Sequence, residues 1–80
     1  MDSELAWHII GVSFRVTREL QDLLPILKEH CDAEEYQDYA QGIARSVHAI
    51  NMALIDKAIA SHPELSSRIE ADLAKFGRVL

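Results

Sequence analysis

Two places divide this sequence. They are the stretch around His30-Cys31-Asp32 and the stretch Ser61-His62-Pro63. Eighty residues hold three glycines and two prolines, so the elements between the turns must be long. β-branched residues alternate at period two for no more than a few positions, and the periodicity that remains is helical. Three helices follow, and the expected fold class is all-α.

The first helix is expected over about residues 4–29, with Ser3 as N-cap and Glu4 in its first turn. Pro25 lacks an N–H and crowds the carbonyl of Gln21, which predicts a kink near that point. The second helix is expected over about 33–60. Asp32 caps it and Glu35 stands at N3, a capping-box variant. The third is expected over about 63–76. It opens with Ser61-x-x-Glu64, a second capping box, and stops at Gly77, with Lys75 near its C-terminus. The whole chain, 1–80, reads as one helical domain.

At 100° per residue the first helix carries a main apolar stripe of Leu5, Ile9, Val12, Val16, Leu20, Leu23 and Leu27. Trp7, Ile10 and Phe14 form a second ridge on another side. The second helix repeats this arrangement: Tyr36, Ala40, Ile43, Val47, Ile50, Leu54 and Ala58 make one stripe, and Met52, Ile55 and Ile59 point nearly the opposite way. The short link at Cys31 folds the two helices into a long antiparallel hairpin, which brings both extra ridges to its open end. The third helix returns there with a single stripe of Leu65, Ile69, Leu73, Phe76 and Leu80.

One stripe covers one ridge more easily than two. An apolar patch that includes Trp and Phe marks an interface, and a core of this size gains much from a partner. The expectation is therefore a homodimeric helical bundle with Trp7, Ile10, Phe14, Met52, Ile55 and Ile59 as the association surface. Its function would be that of a structural or regulatory interaction module without catalytic activity. Its partner would be a second copy, or another protein docked on an apolar helical face.

Charge and composition narrow the remaining classes. Residues 29–38 contain Glu29, Asp32, Glu34, Glu35 and Asp38 with no Lys or Arg, and this segment alone accounts for the net charge of −5. No basic face of the kind that binds nucleic acid stands out; Arg15/Arg18 is the densest basic pair. The longest runs free of Asp, Glu, Lys and Arg, 5–14 and 46–55, are ten residues each, against about 20 for a membrane span. The N-terminus Met1-Asp2-Ser3-Glu4 is acidic where a signal peptide is basic. A lone Cys31 cannot form an intramolecular disulfide. A cytoplasmic location is expected.

Candidate chemistry is sparse. Four histidines invite a metal reading, but no His-x-x-x-His, Glu-x-x-His or Cys-x-x-Cys occurs, and the hairpin parts His30 from His8 and His62. Glu29, His30, Cys31, Asp32, Glu34 and Glu35 read as a solvated acidic turn. The serines lack a glycine-rich elbow, and carboxylates around Cys31 disfavour a thiolate. A second reading of a different class places a small-ligand or enzymatic site at an inter-helix or inter-subunit cleft, formed by Arg15, Arg45 and His48. No cofactor and no metal are expected. Purified without an affinity tag, the protein should carry no stoichiometric metal by elemental analysis. One equivalent of zinc or iron per chain, lost on His30→Ala, would overturn that expectation.

Overall fold

The computed structural model describes residues 1–79. It is all-helical, with no strand among the described residues: α1 (Ser3–His30), α2 (Ala33–Ile50), a π-helical turn (Asn51–Ile55), α3 (Asp56–Ser61) and α4 (Leu65–Phe76). The segments from α2 to α3 follow one another without a gap, so the chain forms three rods within Cα extents of 45 × 25 × 14 Å. Leu80, assigned above to the third apolar stripe, lies outside the described residues.

Local chemistry accounts for the helix ends. Asp2, one residue before the expected Ser3, caps α1 by accepting from the Leu5 N–H at 2.8 Å. Asp32 caps α2 by accepting from the Glu35 N–H at 2.8 Å. α1 runs through Pro25 without interruption. Both Pro25 and Gln21 are exposed, so water can serve the carbonyl that the missing N–H leaves open. The box expected at Ser61 does not form, because Ser61 ends α3. α4 begins at Leu65, with Glu64 at its N-cap position and no side-chain cap. At its far end Gly77 adopts φ 73° and donates to the Leu73 carbonyl at 2.9 Å, the left-handed cap for which glycine is suited.

The π turn resets the register of the second rod. Tyr36, Ala40, Ile43, Val47 and Ile50 follow the three-and-four spacing and are buried or half-buried. An uninterrupted α-helix would next bring Leu54 inward. Instead the Asp56 N–H reaches back five residues to Asn51, the wider turn inserts one residue, and Ile55 enters the core at 5% exposed while Leu54 stays 44% exposed. Ala58 and Ile59 follow Ile55 inward.

α1 buries the wedge between its two apolar ridges. Ala6, Ile10, Ser13 and Thr17 are its buried residues, because at the open end α1 has two neighbours. The second rod lies on one flank and α4 on the other. The core formed there comprises Ala6, Ile10, Ala58, Leu65 and Val79, with Trp7, Phe14, Ile59 and Ile69 packed around it. Small side chains on α1 let the helices approach. The hydroxyls of Ser13 and Thr17 are satisfied within the helix, donating to the carbonyls of Ile9 at 2.7 Å and Phe14 at 3.1 Å.

α4 is clamped at its start. The Arg68 guanidinium lies 4.2 Å from the Trp7 ring centroid and 3.2 Å from Glu4 Oε1. His62 Nε2 donates to the Met1 carbonyl at 3.1 Å, and Nδ1 stands 3.4 Å from Glu64.

Three outcomes follow from this packing. Deleting Ala53 should convert the π turn into α-helix while keeping Ile55 in the core, leaving the thermal midpoint unchanged or higher. Deleting Ala44 should rotate Tyr36, Ala40 and Ile43 away from Val47 and abolish cooperative melting followed by circular dichroism. Arg68→Leu should shift Trp7 fluorescence and cost about 1 kcal/mol in chemical denaturation, the scale of one exposed cation–π contact plus a surface ion pair.

Candidate association surface

Where the six expected interface residues fall decides which surface remains open. Ile10 and Ile55 lie in the chain's own core, at 0% and 5% exposed. Trp7, Phe14 and Ile59 are half-buried against that core, and Met52 is exposed. Five of the six are thus taken up by the chain's own packing, and Met52 alone of them stays on the surface. The reason is the wedge packing on α1 together with the added residue of the π turn.

The apolar stripe on the other side of α1 is the open one. Leu5, Val12, Val16 and Leu23 are all exposed, and Ile9, Leu20 and Leu27 are half-buried. By helical geometry this stripe lies roughly 100° from the buried wedge, and its seven positions carry no charge from end to end of the helix. Ile9 shares a shallow hollow with Ala53 and Leu54 of the π turn. The stripe of α1 and the outward side of the π turn therefore belong to one face of the hairpin. Leu54, displaced from the core by the π turn, adds to that face.

The extent of the molecular surface agrees with an open face. A folded 9.0 kDa chain is expected to expose about 4,850 Å² from the scaling of surface with mass. This chain exposes 5607 Å². The surplus of about 750 Å² goes with an elongated body, 45 × 25 × 14 Å, whose first helix keeps one apolar face uncovered.

The groups of the ligand-site reading are dispersed. An open groove of about 300 Å³ runs between α1 and α2, lined by Gln21, Leu24, Ile43, Val47, His48 and Asn51 among others. His48 reaches it; Arg15 and Arg45 are not among its lining residues. Arg15 stands roughly 170° from the buried wedge of α1, so it points away from the second rod. No group of three or more His, Cys, Asp or Glu among the described residues is placed to hold a metal ion. Cys31 is half-buried at the closed end.

Val79, buried at 2% exposed, is a core residue that the helical pattern did not single out. It lies beyond α4, where periodicity carries no information. The turn at Gly77 was its only signal, since a left-handed cap redirects the chain toward the body of the molecule. No helix among the described residues is long and apolar enough to cross a membrane. No protein-family model, no curated protein and no solved structure matches this chain.

Proposed function

We propose that this protein is a self-associating helical module, structural or regulatory in role and without chemistry of its own, which pairs into a homodimeric bundle through the open face of its hairpin. The observation that carries this reading is the surplus of exposed surface together with a charge-free stripe along α1. Half-exposed Leu and Val side chains each gain roughly 1 kcal/mol when their burial is completed, about half of the value for full burial. Several of them on one face supply a driving force comparable to the modest stability of a small core.

A second reading rests on the groove between α1 and α2. There Gln21, His48 and Asn51 offer polar groups above an apolar floor of Leu24, Ile43 and Val47, an arrangement suited to a small ligand. Its volume lies at the lower end of the usual range for such sites, roughly 300–1,000 Å³. It presents no arginine to hold an anion.

Sedimentation equilibrium separates the two. The wild type should give a mass near twice 9.0 kDa at about 100 μM chain, where any interface stronger than about −5.5 kcal/mol is populated. Val12→Asp combined with Leu23→Asp should bring the mass down to the single chain, because both side chains are exposed in the protomer and neither supports its core. His48→Ala should leave assembly unchanged. A wild type that sediments as a single chain would overturn the proposal.

A further inference from the structure

The open stripe of α1 has a symmetry of its own. Its residues fall at 5, 9, 12, 16, 20, 23 and 27, so the intervals are 4, 3, 4, 4, 3 and 4. Read backwards, the series is the same. The order is centred on Val16, and every member pairs with another at the same distance on the opposite side: Leu5 with Leu27, Ile9 with Leu23, Val12 with Leu20. The spacing also repeats every eleven residues, about 3.67 per turn, so the stripe drifts only about 20° per repeat, in the right-handed sense.

We infer that the occupant of this face is a second copy of the chain, laid antiparallel about a two-fold axis through Val16. This inference rests on the association reading above and specifies its geometry. A two-fold interface is isologous, so each position i on one helix must meet its counterpart on the other and the reverse. The palindromic spacing meets that condition at every apolar position. Leu5 faces the partner's Leu27, Ile9 the partner's Leu23, Val12 the partner's Leu20, and Val16 the partner's Val16. A parallel pair about an axis along the helices sets each position against its own copy whatever the spacing, so the palindrome permits the antiparallel pair and the charged edge selects it.

Charge along the edge of the stripe points the same way. Arg15 and Glu19 are exposed and flank the apolar residues on the side away from the second rod. A two-fold axis perpendicular to the helices sets each edge against the same edge of the partner. Arg15 then stands within about 3 Å, along the helix axis, of level with the partner's Glu19, since two residues of offset rise about 3 Å. Glu19 meets the partner's Arg15 by symmetry. Arg15 precedes Glu19 along this edge, so antiparallel pairing sets each against the unlike charge of the partner. A parallel pair about a two-fold axis sets this edge against the opposite edge of the partner and makes neither contact.

With both copies in place, the α1 stripes lie face to face and the second rods lie side by side, giving an antiparallel four-helix arrangement. The α4 segments, bound to the other side of each hairpin, remain outside the seam.

Disulfide trapping in a Cys31→Ser background tests the geometry. Val16→Cys should crosslink to itself on mild oxidation and run mostly as a covalent dimer, because only a residue on the axis meets its own copy within bonding distance. Leu5→Cys alone should remain uncrosslinked, as should Leu27→Cys alone, while an equimolar mixture of the two should give the mixed dimer. All three positions lie on the open stripe, so the protomer tolerates the changes, and circular dichroism of each reduced variant should match that of the Cys31→Ser parent. Self-crosslinking of Leu5→Cys, with a wild type still near twice 9.0 kDa, would overturn the antiparallel geometry and leave the association reading standing. A failure of Val16→Cys to crosslink in a dimeric protein would do the same. A single-chain wild type would remove both.

Discussion

Three rods of this protein meet around Ile10, and the arrangement depends on α1 having a narrow face at that point. Ala6, Ser13 and Thr17 surround Ile10 on α1, all small or β-branched, while Ala58, Leu65 and Val79 approach from the other elements. Because a helix between two neighbours must bury the sector that both can reach, the centre of burial falls between its ridges rather than on either one. Trp7 and Phe14 then close the α4 flank, and Ile9 lies toward the second rod. The leucine-rich stripe is left outside. A single choice of azimuth on α1 thus creates both the core and the uncovered face.

The π turn serves the same core from the other side. Without it Leu54 would point inward at the level of α1, and Ile55 and Ile59 would be left on the outside. One extra residue per turn reverses those assignments and sets the small Ala58 where the rods come closest. The cost is a locally wider helix. The consequence is a second rod whose two halves both face α1, with Leu54 turned toward the open face beside Ile9.

Much of the architecture was legible in the residues alone. The caps at Asp32 and Gly77, the hairpin bend at Cys31 and the helical character of all three rods follow from local propensity and spacing, and each is a short-range property. The two apolar ridges on α1 were legible too. Their roles were not, and the expected association surface of Trp7, Ile10 and Phe14 turned out to lie against the chain's own elements. Periodicity measures the angle between side chains on one helix; it does not say from which direction the neighbouring helices arrive.

Local patterning along the chain establishes that it is helical, where it bends, and that its first helix carries more apolar surface than one neighbour can cover. Those properties depend on hydrogen bonds and steric preferences within a few residues. Packing between distant segments selects which sector of α1 is buried, brings Ile55 rather than Leu54 into the core, and closes that core with Val79 from beyond the last helix. These outcomes depend on the simultaneous fit of side chains from segments far apart in the chain. Close packing settles that fit by volume and contact, neither of which a one-dimensional pattern contains.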